Sequence, residues 1–175
     1  MRRDYLIFRQ LLDKAIRKIL WLYFETPVAG QKKGAIRERL FCYELYHQLR
    51  CICDTSDFGY WLGGELDKID HPIIRGKYKP DLVIHEPGDE DRNLCVVEVK
   101  PITGNARGFK KDIATLTAFV TQYSYHAGIL LVFGDLESGE SVIRKKVETD
   151  VGLLRQKNIF VIWVKSAQSK VVELD

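Results

Sequence analysis

The chain has 175 residues, of which 46% are hydrophobic and 29% are charged, and its formal net charge at pH 7 is +3. This composition is typical of a globular protein and excludes a disordered or a fibrous chain. The length suits one domain with its own core. We divide this domain into a helical extension at residues 1–34, a core at 35–134 and a C-terminal α/β addition at 135–175.

No run of apolar residues approaches the roughly 18 that a membrane span needs. Charged side chains interrupt the apolar residues at the beginning of the chain, which argues against an export signal. We therefore expect a cytoplasmic protein that does not enter a membrane. Its cysteines are then expected to be reduced thiols: Cys42, Cys51, Cys53 and Cys95.

Charge is distributed unevenly along the chain. Residues 1–50 carry 11 Lys and Arg against 5 Asp and Glu, whereas residues 51–100 carry 6 against 11. Basic flanks of this kind fit phosphate binding and solvated helix faces equally well. Charge alone therefore identifies no partner.

The first part of the chain predicts two helices and a strand. Apolar residues at three- and four-residue spacing predict amphipathic helices over about residues 4–24 and 36–52. A turn that contains Pro and Gly separates them. The segment 58–70 is rich in aromatic residues and predicts a strand that bends at Gly63 and Gly64.

A β-hairpin is predicted next, because apolar runs at 80–85 and 93–100 flank a loop rich in turn residues. The remaining predicted elements are a helix over about 107–125 capped by Asn105, a strand at 128–134, a helix over about 140–157 and a strand at 158–165. The order α, α, β, β, β, α, β, α, β predicts an α/β fold with a mixed central sheet flanked by helices.

The hairpin brings three charged residues to one place. If Glu86 pairs with Asn93, the constant register of antiparallel strands sets Asp81 opposite Glu98, with Cβ atoms about 5 Å apart. Lys100 lies two residues beyond Glu98 and projects from the same face. Two carboxylates and an ammonium therefore converge on an otherwise apolar surface.

This carboxylate pair needs a compensating charge, because like charges directly across a sheet destabilise it. Lys100 offsets one negative charge, and a divalent cation with oxygen ligands accounts for both carboxylates. A solvated, salt-bridged strand face is the alternative interpretation. The apolar neighbours of Glu98 and the proline before Asp81 favour a partly buried site instead.

The segments Lys79-Pro80-Asp81 and Glu98-Val99-Lys100 resemble the PD-(D/E)XK motif of a nuclease superfamily that includes many restriction endonucleases, repair nucleases and resolvases. The similarity extends to element order, since residues 36–134 match the α-β-β-β-α-β core of that superfamily. The resemblance implies a restriction-endonuclease-like core, here with an extra N-terminal helix.

The resemblance also implies roles for individual residues. Asp81 and Glu98 would bind Mg²⁺ or Mn²⁺, and Lys100 would position or activate the attacking water. A glutamate of the first core helix often completes the metal shell in this superfamily. Glu38 is preferred because it shares the core-facing stripe of its helix, and Glu44, which lies towards a flank, is the alternative.

The function implied is hydrolysis of phosphodiester bonds in nucleic acid through a metal-bound water, with DNA favoured over RNA. Arg107, Lys110 and Lys111 open the helix after the second motif and are candidates for binding phosphate. The alternative is a catalytically inactive module that keeps the fold and binds nucleic acid or a protein partner. The sequence leaves a homodimer open.

Overall fold

The computed structural model describes residues 1–64 and 78–175, which form a mixed β-sheet with helices on both faces. This confirms the predicted α/β class. The helices are α1 (Arg2–Lys18), α2 (Trp21–Phe24), α3 (Glu38–Cys53), α4 (Ala106–Gln122), α5 (Gly139–Val147) and α6 (Val151–Gln156). The strands are β1 (Trp61–Gly64), β2 (Leu82–Glu86), β3 (Asp89–Pro101), β4 (Ala127–Phe133), β5 (Ile159–Val164) and β6 (Val172–Leu174).

Strand order in the sheet follows the chain, from β1 at one edge to β6 at the other. The strands β1, β2 and β3 are joined by antiparallel pairing, β3, β4 and β5 run parallel, and β6 returns antiparallel to β5. Parallel neighbours require crossover connections, which α4 supplies between β3 and β4, and α5 with α6 between β4 and β5. The carboxyl ends of the three parallel strands therefore lie together along one border of the sheet, which we call its carboxyl edge.

The hairpin of β2 and β3 has the predicted register at its base and a different one at its tip. Leu82 pairs with Val97, as the sequence predicts. The predicted pairing of Glu86 with Asn93 is wrong, because a bulge shifts the register and Asn93 pairs with His85. The turn is also tighter than predicted, since it consists of Pro-Gly with a glycine φ of 86°.

The predicted helix over residues 4–24 is divided in two. Ile19 and Leu20 adopt extended backbone angles between α1 and α2. The change of direction lets Ile19, which is 1% exposed, and Phe24, which is 6% exposed, both pack in the core. A straight helix would have to place these two side chains on faces about 140° apart.

The predicted helix over residues 140–157 is also divided, into α5 and α6. Glu148 ends α5 in the left-handed region, with a φ of 57°. Asp150 then caps α6, because its side chain accepts a hydrogen bond from the Leu153 amide. The sequence analysis missed this capping aspartate as a helix start.

Two edge strands also differ from the prediction. The strand predicted at 58–70 is β1 at Trp61–Gly64, and the predicted residues 65–70 lie outside the described part of the chain. β6 was not predicted, because three residues are too few for an alternating pattern to stand out.

The core has two parts, one on each face of the sheet. On one face, α1, α2 and α3 cover alternate strand residues such as Leu82 and Val97. On the other face, α4, α5 and α6 cover the intervening residues such as Val83 and Val96. Asp81, Glu98 and Lys100 belong by alternation to the second face.

Among the helices that the structure describes, none combines the length and the apolar character that a membrane crossing requires.

Aromatic packing fixes the beginning of α3 at the carboxyl edge of the sheet. The ring of Phe41 stacks on that of Phe133, the last residue of β4, with centroids 4.0 Å apart and planes inclined by 8°. Phe24 packs edge-on against the same Phe41 ring at 5.1 Å. Phe41 lies one turn after Glu38, so this aromatic cluster fixes the position of the Glu38 backbone at the start of α3.

Replacing Phe41 should therefore lower the stability of the protein. Phe41→Ala removes a fully buried ring and leaves a cavity, so we expect the free energy of unfolding in urea to fall by about 3–5 kcal/mol. Tyr43→Ala on the same helix is the matched control, because Tyr43 is 54% exposed and should change stability by less than about 0.5 kcal/mol. Equal effects of the two substitutions would contradict this description of the core.

Candidate active site

Asp81 and Glu98 are in contact at the base of the hairpin. Asp81 directly precedes β2, and one of its carboxylate oxygens, Oδ2, accepts a hydrogen bond from the Val99 N–H at 2.7 Å. Glu98 is 7% exposed, and burial together with the neighbouring Asp81 raises its pKa. At the base of the hairpin Leu82 pairs with Val97, and this register holds the two acids side by side.

Burial is the main cause of the raised pKa values of this pair. Burial raises the pKa of Asp81 from its ordinary 3.8 to about 6, although the Val99 amide and Lys100 act in the opposite direction. The pKa of Glu98 is raised well above its ordinary 4.5, first by burial and then by the neighbouring Asp81. Two carboxylates this close do not both ionise readily unless a cation joins them. Ionisation of both acids is therefore disfavoured in the folded protein.

Lys100 lies between two further carboxylates. Its ammonium nitrogen, Nζ, donates a hydrogen bond to Glu38 Oε2 at 3.0 Å and lies 3.0 Å from Asp112 Oδ2. Burial acts to lower the pKa of Lys100, but Asp112 and Glu38 outweigh it, so the pKa is raised above its ordinary 10.5 and the side chain stays charged. The stem packs on the turn after β3, where a Cβ at Gly104 would lie 3.2 Å from Lys100 Cδ.

The sequence analysis missed Asp112, although the sequence contains a signal for it. Asp112 lies three residues after Phe109 and four before Leu116, and so falls on the apolar stripe of α4. Its side chain is only 5% exposed. A buried acid among apolar residues is more informative than an exposed one, because burial without a partner is costly.

The two candidate helix glutamates occupy different surroundings. Glu38 is the first residue of α3, and its carboxylate reaches Lys100 around the carboxyl edge of the sheet. Glu44 accepts a hydrogen bond from Gln48 at 2.7 Å and interacts with the Tyr23 hydroxyl, whose pKa it raises. The structure therefore brings Glu38, and not Glu44, to the cluster around Lys100.

The three basic residues predicted to bind phosphate lie on the exposed side of α4. Arg107, Lys110 and Lys111 are all exposed. Lys110 forms an exposed ion pair with Glu148 at 3.4 Å, which points it towards α5. Burial raises the pKa of Asp112, and Lys111 is close enough to act in the opposite direction, so Lys111 lies nearer the acidic cluster.

The donor set suits a small divalent ion held by two carboxylates. In the described part of the chain, no three His, Cys, Asp or Glu side chains are grouped so that together they could hold a metal ion. Mg²⁺ is commonly bound through one or two carboxylates, with waters and substrate phosphates as its other ligands. The Asp81–Glu98 pair fits such an ion, because a divalent charge would allow both buried carboxylates to ionise.

Comparisons of the chain with protein family models, with curated proteins and with solved structures find no match. The resemblance to the PD-(D/E)XK superfamily thus rests on the motif residues, the order of the elements and the geometry just described.

Removing one acid of the pair should stabilise the metal-free protein at neutral pH. The folded-state pKa of Asp81 is about 6, against an ordinary 3.8. Between these two pH values the folded protein keeps a proton that the unfolded chain has lost. The pair therefore lowers the free energy of unfolding as the pH rises from about 4 to above 6, and has little effect below about pH 3.5. Asp81→Asn should raise that free energy by about 1–2 kcal/mol at pH 7.

Urea unfolding in the presence of a chelator, at pH 7 and at about pH 4, measures this difference. Asp81→Asn can still accept the Val99 hydrogen bond through its amide oxygen, so backbone contacts are kept. The control is Glu137→Gln, an exposed acid whose replacement should change stability equally little at both pH values. If Asp81→Asn destabilised the protein at pH 7, the two acids would not oppose each other in the fold.

Proposed function

We propose that the protein is a Mg²⁺-dependent nuclease with a restriction-endonuclease-like core, which hydrolyses phosphodiester bonds in nucleic acid. The observation that carries this proposal is the buried contact between Asp81 and Glu98 beside the charged Lys100. A purely structural role explains this contact poorly, because two buried acids in contact lower the stability of the fold. Acids whose pKa values are strongly raised in this way are concentrated at functional sites.

The two acids supply oxygen ligands at the sheet edge. A bound Mg²⁺ would polarise a phosphoryl group and lower the pKa of a coordinated water. Asp81 is oriented for such binding, since the Val99 amide fixes one of its oxygens at 2.7 Å. Glu98 is oriented by burial on a central strand, which leaves its carboxylate little freedom.

Lys100 contributes charge in this proposal. Its pKa is raised, so near neutral pH it is an ammonium that can donate hydrogen bonds and cannot accept a proton. Such a group can orient a water and stabilise the negative charge that develops on the phosphate. The structure therefore favours electrostatic stabilisation over proton abstraction as the role of Lys100.

The substrate class and the core topology follow from the same residues. The exposed Arg107, Lys110 and Lys111 lie on the helix that covers the acidic pair, where they can contact the phosphates that flank a cleaved bond. DNA is favoured over RNA because many members of the superfamily that the chain resembles act in restriction and repair. The order α3, β1, β2, β3, α4, β4 supports the αβββαβ core.

Substitutions at the site should abolish nuclease activity. With Mg²⁺ or Mn²⁺ the purified protein should cleave single- or double-stranded DNA or RNA. Asp81→Asn, Glu98→Gln and Lys100→Gln should each lower the cleavage rate by at least about 100-fold, because each removes charge from the reacting centre. Initial rates on fluorescently labelled oligonucleotides measure this effect.

The two helix glutamates provide a matched pair for the same assay. Glu38→Gln should lower the cleavage rate, whereas Glu44→Gln should leave it within about twofold of the unsubstituted protein, since its hydrogen bonds face Gln48 and Tyr23. Cleavage that survives both Asp81→Asn and Lys100→Gln would overturn the proposal. Binding of nucleic acid without any cleavage would identify the inactive module instead.

A further inference from the structure

Asp112 is not one of the motif residues, yet it is among the most buried acids in the described part of the chain. Its side chain is 5% exposed, and its Oδ2 atom has no hydrogen bond of favourable angle within the described residues. The charged contact with Lys100 at 3.0 Å is what compensates that oxygen. A buried carboxylate that loses such a partner is strongly destabilised, so this contact is not readily given up.

The other contact of Lys100 is of a different kind. Glu38 has a side-chain exposure of 40%, so its carboxylate is partly hydrated and can exchange Lys100 for water or for another cation at little cost. The lysine is therefore held firmly from α4 and loosely from α3. We therefore expect the contact with Glu38 to be the weaker of the two when another cation enters the cluster.

A divalent ion at Asp81 and Glu98 would change the balance around Lys100. Such an ion attracts the Glu38 carboxylate and repels the ammonium. Without Asp112, the nearest negative charges left to the ammonium are Glu38 and the pair itself, and the ammonium would compete with the ion for them. With Asp112 in place, the ammonium has a buried partner on α4.

We propose that Asp112 is a positioning residue that holds the Lys100 ammonium beside α4, so that the ammonium does not compete with a divalent cation for the Asp81–Glu98 pair. This inference rests on the proposed function, because it presumes the metal site. It assigns Lys100 two partners in the metal-free protein and one, Asp112, in the metal-bound protein. Asp112 acts through Lys100 and needs no contact with substrate or metal.

A double-mutant cycle on Mn²⁺ affinity tests this inference without using activity. The dissociation constant of Mn²⁺ is measured from the electron paramagnetic resonance signal of free Mn²⁺ for the full chain and for Asp112→Asn, Lys100→Gln and the double variant. Asp112→Asn should weaken Mn²⁺ binding about tenfold when Lys100 is present and less than about twofold in the Lys100→Gln background. Gln at position 100 can still donate a hydrogen bond to Asp112, so the buried carboxylate keeps a partner.

Glu148→Gln is the matched control, because it also removes an acid that pairs with a lysine of α4, but at an exposed position outside the cluster. Its Mn²⁺ affinity should stay within about twofold of the unsubstituted protein. Circular dichroism of each variant verifies that the fold is retained. If Asp112→Asn fails to fold, Asp112→Glu replaces it, and we then expect a smaller loss of Mn²⁺ affinity.

The outcomes separate the two proposals. Equal losses from Asp112→Asn in both backgrounds would make Asp112 one more negative charge near the metal and would overturn its role as the partner of Lys100. No loss in either background would overturn it as well. Absence of Mn²⁺ binding to the unsubstituted chain would instead overturn the proposed metal site, and the inference about Asp112 with it.

Discussion

Asp81 and Glu98 are held against each other where water can solvate them only poorly, and the remaining features of the site follow from that contact. The strand register brings the two acids together, and the helix α4 covers them. A single ammonium, Lys100, lies close by and is itself shared between Glu38 and Asp112. The described cluster therefore holds more carboxyl groups than ammonium groups, and burial together with their mutual proximity raises the pKa of Asp81 and Glu98.

The fold holds this unfavourable arrangement through packing on both faces of the sheet. The stacked rings of Phe41 and Phe133 fix the first turn of α3, and the apolar stripe of α4 fixes the helix that carries Asp112. Both helices are anchored by large buried side chains, so neither can move away to relieve the repulsion. Stability in the core and strain at the site are two results of the same packing, as is common for functional sites.

The sequence predicted the parts of this arrangement that depend on local pattern. Alternation along β2 and β3 predicted which residues face α4, and the register at Leu82 and Val97 was correct because the apolar residues of both strands must face the core together. The register at the hairpin tip was wrong, since a bulge next to an exposed turn leaves no trace in hydrophobic alternation.

Other features depend on tertiary contacts that no local pattern encodes. The break between α1 and α2 arises because Ile19 and Phe24 both find places in the core. The role of Asp112 depends on the distance between α4 and the end of β3, which the spacing of residues along the chain does not give. The resemblance to a nuclease motif named Asp81, Glu98 and Lys100, with Glu38 as the helix glutamate. The ion pair between Glu38 and Lys100, and the part of Asp112 in it, became visible only in three dimensions.

We propose that the neighbouring carboxylates of Asp81 and Glu98 bind a divalent cation, and the whole account depends on this proposal. A crystal structure determined after soaking in Mn²⁺, with anomalous scattering to locate the ion, tests this claim most directly. We expect one anomalous peak with a carboxylate oxygen of each residue roughly 2.0–2.1 Å away. The absence of any anomalous peak between the two acids at saturating Mn²⁺ would contradict the account.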